Sequence, residues 1–250
     1  VTCTAHVVSR RISFDNARYD RTDKVMALGV VGRLMRRHKP SAHKRGAILR
    51  KFAKKLGFVY FGVVDQHQDD HEVIRGLTVS TSHKDDHYAV GSFDGYDVSL
   101  VDRFDMVIDQ SGKASEHSWV ILQVTLEQST RLPHIFMKPH NHAEDAYAKF
   151  FSAFNYLKPV NNLFHQTHSH EFNARYEVYA NSSHAQDIEQ VLTPEATNTI
   201  AARLWPHAIE IFEGKLYLYT TQTTLNETLL ETCLESAIWL AQTLDKTEEN

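Results

Sequence analysis

Two periods alternate along the chain. Ile48, Leu49, Phe52, Ala53 and Leu56 recur at helical spacing, with Lys44, Arg45, Lys51, Lys54 and Lys55 largely outside that stripe. This predicts an amphipathic helix opened by Ser41 and stopped by Gly57. Upstream, Asp23 is placed to cap a shorter apolar helix reaching about Met35, and Pro40 separates the two. From Phe58 the period drops to two. FVYFGVV (58–64) reads as a buried strand, and the alternating run around Asp94-Gly95 as a tight hairpin. SWVILQVTLE (118–127) sets Val120, Leu122, Val124 and Leu126 on one face, and LPHIFMKP (132–139) is a short strand fenced by prolines.

Further on, Asn141 and Glu144 make a capping-box-like helix start, and Ala143, Tyr147, Phe150, Phe151 and Phe154 its apolar stripe. ARYEVYA (174–180) reads as a strand. Thr193-Pro194 opens a helix that ends before Trp205-Pro206. AIEIF-EG-KLYLYT (208–220) is a second hairpin, and Thr224 with Glu227 box-caps a last helix whose broad stripe runs from Leu225 to Leu244. Hairpins grouped between helices predict an α+β fold: an antiparallel sheet with amphipathic helices packed on it. Residues 1–57 form a basic helical arm and 58–250 a single α+β domain.

Charge sharpens that division. Residues 1–55 hold 15 Lys/Arg against 3 Asp, and the remainder 12 Lys/Arg against 28 Asp/Glu, although the 250-residue chain as a whole carries only −4. A basic arm of this kind meets an anionic membrane, an anionic partner or the protein's own acidic body. Arg33, Arg36, Arg37, Lys44, Arg45, Lys51, Lys54 and Lys55 are its candidate contacts. Nucleic acid is the less favoured partner, because Phe52 and Phe58 are the only rings between Gly32 and Val59 and single-strand binders interleave aromatics with cations. Two cysteines, Cys3 and Cys233, imply no disulfide framework and a reducing, cytoplasmic setting, with peripheral membrane attachment open. The first residues lack a secretory pattern, and the apolar run at 25–31 is far short of the roughly 20 residues a spanning helix needs.

The order of FAKKLGF, FDGYDVSLVDRF, SWVILQVTLE, LPHIFMKP, EFNARYEVYA, DIEQVLTPEATNTI and IEIFEGKLYLY resembles a group of bacterial domains without assigned activity, usually placed behind one or two membrane-spanning helices. Phe172, Asn173, Tyr176 and Val178, with Leu192, Thr193 and Pro194, occupy the positions of that group's short motifs, and the resemblance spans roughly 45–222. It implies the fold and no catalytic residue, and this chain departs from the group's pattern in showing no membrane span.

Histidine is the remaining signal. Sixteen are present, and the word HxDDH occurs twice, at 67–71 and 83–87. Divalent metals take two to four converging His or carboxylate ligands. The metal candidates are His67, His71, His83, His87, His165, His168 and His170. Against a shared ion, His67 is followed by Gln68 where a metalloprotease helix carries glutamate. If 58–64 and 73–80 pair as antiparallel strands, the two words also lie about 25 Å apart at opposite ends of the sheet. They then read as solvated loops. HxxHxH at 165–170 is the best single-segment candidate, with a surface strand the simpler reading. His140 and His142 flank a helix N-cap, where the dipole repels a cation. Cys233 lies on a packing stripe, and there is no nucleophile elbow.

These patterns favour a non-enzymatic binding or scaffold domain that docks through its basic arm, with no cofactor. A metal-dependent hydrolase built from the histidine clusters and a nucleic-acid-binding protein are the alternatives.

Overall fold

The structure, a computed structural model, describes residues 39–62, 84–108, 114–127, 132–140, 151, 154–161, 169–220 and 225–246. Contacts divide the chain into Val1–His43 and a second unit, Lys44–Asn250. The predicted apolar helix after Asp23, the strand at 73–80 and the helix start at Asn141 lie outside the described residues.

Helix α1 (Lys39–Leu56) carries the predicted stripe. Leu49, Phe52 and Ala53 are fully buried, while Lys44, Lys51, Lys54 and Lys55 face out. Pro40 sits inside its first turn, where a missing N–H costs nothing. The division expected at 57/58 therefore falls earlier: the second compact unit begins at Lys44, and most of α1 belongs to it.

Nine strands follow among the described residues: β1 (Val59–Gly62), β2 (Lys84–Phe93), β3 (Tyr96–Ile108), β4 (Ala114–Thr125), β5 (Ile135–Pro139), β6 (Lys158–Pro159), β7 (Tyr176–Ala180), β8 (Ala208–Phe212) and β9 (Lys215–Thr220). They form one sheet in the order β1-β2-β3-β4-β9-β8-β5-β7-β6, every neighbouring pair antiparallel. The α+β reading holds. Both predicted hairpins form, with left-handed φ at both turn residues, 50° and 88° at Asp94-Gly95 and 48° and 71° at Glu213-Gly214. That geometry matches the twist of antiparallel strands.

The helices after the sheet begins are α2 (His170–Arg175), α3 (Ala185–Val191), α4 (Pro194–Leu204) and α5 (Glu227–Lys246). Thr193 caps α4 as expected, its side chain accepting from the Ala196 amide. For α5 the capping oxygen comes from Asn226, which accepts from the Leu229 amide at 2.8 Å. Residues of α1, α2, α3, α4 and α5 meet one face of the sheet in a single core with Val98, Leu100, Val120, Leu122, Ile209, Ile211, Leu216 and Leu218. The other face is more aromatic, with Tyr88, Trp119, Phe136, Tyr217 and Tyr219 around Val101 and Ile121.

Three expectations change. FVYFGVV was expected to be buried, yet β1 is an edge strand with Val59 58% and Phe61 44% exposed. β4 is buried on both faces, since Trp119, Ile121 and Gln123 are covered as well as Val120, Leu122 and Val124. ARYEVYA was expected to be strand from Ala174, but Ala174 and Arg175 close α2, and the strand starts at Tyr176. Ser169 caps that helix by accepting from the Phe172 amide.

Because α1 supplies core rather than an appendage, truncating its largest buried ring should destabilise the whole domain. Phe52→Ala is expected to cost about 3–5 kcal/mol, read as a lowered urea midpoint. A midpoint unchanged within error would mean that α1 is not part of the cooperative unit.

Candidate functional site: the basic helix and the carboxylates that meet it

The second HxDDH word is not a solvated loop. Lys84–His87 opens β2, and the ladder with β3 runs Asp85↔Arg103, Asp86↔Asp102, then Ala89↔Leu100. Two residues of β2 thus oppose only Val101, which makes a β-bulge. His87 occupies it with a left-handed φ of 60°. The bulge turns His87 toward α1 while Tyr88 joins the aromatic face.

Each carboxylate of the word has a different task. Asp85 is buried and pairs with Arg103 through two hydrogen bonds of 2.6 and 2.7 Å. Asp86 meets Lys84 at 2.8 Å. Asp102, directly opposite Asp86, is fully buried and accepts from Arg45 of α1 at 2.6 and 3.1 Å. Burial pushes the Asp102 carboxyl up, against the pull of the Arg45 hydrogen bonds. Arg45 also lies over the Phe104 ring at 6.0 Å. Arg45, expected among the partner contacts, is therefore an internal anchor. Its planar fork matches a carboxylate in a way that lysine cannot.

His87 fits against the same helix. Its Nδ1 lies 2.6 Å from the Tyr60 hydroxyl, and the rings of the two residues stack at 6.2 Å. A Cβ on Gly46 would come within 2.4 Å of the imidazole, so α1 needs glycine there. Desolvation lowers the His87 pKa, with Arg50 and Lys84 acting in the same sense and Asp102 and Asp86 opposing. Arg50 is in turn held over the Tyr60 ring at 5.3 Å.

On its outer side α1 presents the lysines. Lys51 meets Glu227 at 2.6 Å, and Lys55 meets Glu231 at 2.5 Å and Glu227 at 3.7 Å. The hydrogen bond from Lys51 holds the Glu227 carboxyl below the usual range, and that to Glu231 raises Lys55. Lys44 and Lys54 are exposed and have no ion-pair partner among the described residues. Arg33, Arg36 and Arg37 lie outside the described residues.

The histidine candidates do not assemble. His67, His71, His83, His165 and His168 lie outside the described residues. Of the two that remain, His87 is packed in the bulge and His170 is exposed in the first turn of α2, not in the extended surface strand expected there. Among the described residues no group of three or more His, Cys, Asp or Glu could hold a metal ion. Cys233 is buried on α5, and burial pushes its thiol up to about 12, which leaves it protonated and unreactive.

One polar network went unread in the sequence. Fully buried Glu210 of β8 accepts from His134 Nε2 at 2.7 Å and from the Tyr219 hydroxyl, while His134 Nδ1 lies 2.8 Å from the Tyr156 hydroxyl. Phe212 and Phe154 wall the imidazole at 4.2 and 5.0 Å. The clue was a single acidic residue in the middle of AIEIF, since a charge in a central strand must find partners. The network ties 154–156 to the sheet.

The class that these features define is an α+β sheet domain with a basic helix locked on one face. Among solved structures, the crystal structure of the mycobacterial trehalose monomycolate transport factor A, TtfA, is similar, with a TM-score of 0.53 over 80% of this chain and 93% of that one at 13% identity. At that identity the likeness is one of fold. No protein-family model matches the sequence, and no curated protein matches it. No described helix is long and apolar enough to cross a membrane.

Two measurements follow from the inner contacts. Asp102→Ala strands the buried guanidinium and should cost about 3–5 kcal/mol, whereas a loss under about 1 kcal/mol would mean that the pair is solvated. For His87, a folded pKa below the unfolded value of about 6.5 means the fold favours the neutral ring. Its contribution is then complete above about pH 6.5 and is lost as pH falls through that value toward the folded pKa. The stability difference between the native chain and His87→Gln should shrink between about pH 7.5 and 5. A difference that grows on acidification would reverse the sign.

Proposed function

We propose that this domain is a non-enzymatic binding module that docks on an anionic lipid surface through the outer ridge of α1. The observation that carries the reading is the division of labour along that helix. Arg45, Gly46, Leu49, Phe52 and Ala53 fix it to the sheet, and Lys44, Lys51, Lys54 and Lys55 are left on the solvent side as a rigid row. The row is made of lysines with no exposed ring among them, and the one nearby guanidinium, on Arg50, is occupied by Tyr60. Lysine is a point charge on a flexible stem, suited to a diffuse field of headgroups. Base stacking would call for aromatics on the ridge. Each Lys or Arg close to an anionic membrane contributes about 1 kcal/mol. Two likenesses point the same way: the fold of a protein described as a trehalose monomycolate transport factor, and the resemblance to domains that follow membrane spans.

The test uses the full chain, since removing 1–57 would take away core. Co-sedimentation with phosphatidylserine-containing vesicles should exceed that with phosphatidylcholine alone and weaken as salt rises. Lys44→Glu with Lys54→Glu, which breaks no ion pair among the described residues, should lower binding by about tenfold or more. Equal binding to both vesicle types would overturn the reading. So would a single-stranded oligonucleotide held more tightly than the vesicles, which would redirect it to nucleic acid.

A further inference from the structure

We infer that Glu227 and Glu231, in the first two turns of α5, are an intramolecular competitor for the lipid-binding ridge, so that anionic headgroups must displace them to reach Lys51 and Lys55. This inference rests on the proposed docking surface and concerns its regulation. The geometry is a matched ladder. Lys51 and Lys55 are one helical turn apart on α1, and Glu227 and Glu231 are one turn apart on α5. Lys51 meets Glu227 at 2.6 Å, Lys55 meets Glu231 at 2.5 Å, and Lys55 bridges back to Glu227 at 3.7 Å. Both lysines therefore have anionic partners before any surface arrives.

The pairing is placed for exchange. The Lys51 and Lys55 side chains are 74% and 52% exposed, against 27% and 33% for Glu227 and Glu231. The cations thus stand outward of the anions, and a headgroup phosphate can approach them from solvent without moving either helix. Exposed pairs of this kind are weak, about as weak as the attraction of one lysine for an anionic membrane. Neither partner wins outright, and the glutamates act as a graded brake. Lys44 and Lys54, which have no such partner among the described residues, form the part of the ridge that is always available. A brake of this sort makes docking respond steeply to the density of anionic lipid, because the first contacts come from Lys44 and Lys54 and the rest only after the glutamates have been displaced.

The experiment compares vesicle affinity, at several phosphatidylserine fractions, for the native chain, Glu227→Gln/Glu231→Gln and a control, Glu189→Gln/Glu195→Gln. The control removes the same charge from exposed positions on α3 and α4. The competitor variant should bind about three- to tenfold more tightly, with the gain largest at low phosphatidylserine, and the control should stay within about twofold of native. Thermal melts confirm that both fold. Unchanged or weaker binding of the competitor variant, while Lys44→Glu/Lys54→Glu still weakens docking, would overturn the competitor role and leave the docking surface standing. An equal gain in the control would also overturn it, since net charge would then be the cause. If native protein and every variant ignore the vesicles, the docking surface fails and the brake with it.

Discussion

A buried guanidinium facing a buried carboxylate is the constraint on which the rest of this molecule turns. Arg45 and Asp102 give up water together, and burying either alone would cost several kcal/mol. The pair thereby fixes where α1 lies on the sheet. Around it the accommodations are tight: glycine at 46, a bulge at His87, a Tyr60 hydroxyl within reach of the ring. The apolar stripe of α1 would pack against many surfaces. The ion pair selects one, and the orientation of the outer lysines is inherited from that choice.

The contrast between the two faces of the sheet bears on function. The helix-bearing face is closed by aliphatic packing around Leu100, Leu122 and Leu218. The opposite face carries its polar groups in linked sets: Asp85 with Arg103, His134 with Glu210 and the tyrosines, Lys138 with Glu177 and Tyr179. Most of these charges are spent holding strands in register. On α1, by contrast, the lysines stay on the solvent side, where the proposed function places the work.

Much of the framework was legible because it rests on local rules. The α1 stripe, the Asp94-Gly95 and Glu213-Gly214 turns and the Thr193 cap depend on residues within a few positions of each other. What the sequence hid was long-range. KDDH (84–87) has the composition of a loop, and pairing with β3, with Arg103 on Asp85, makes it strand. Arg45 read as surface charge, because nothing near it in sequence announces Asp102. Val59 and Phe61 read as buried since apolar runs usually are, yet β1 ends the sheet. Glu210 failed to signal because its partners come from 134 and 219.

The strand order has a kinetic side. β4 and β9 sit side by side near the middle of the sheet, and Val120 pairs with Thr220, 100 positions later in the chain. β2 and β3 are joined by the local Asp94-Gly95 turn, whereas the seam joins segments about a hundred positions apart. Contacts so distant demand loop-closure entropy before they return any stabilisation, and they slow folding. On a ribosome that emits the amino end first, the border of β4 would wait until residues 215–220 have been made. The final hairpin, late in the chain, thus supplies the middle of the sheet.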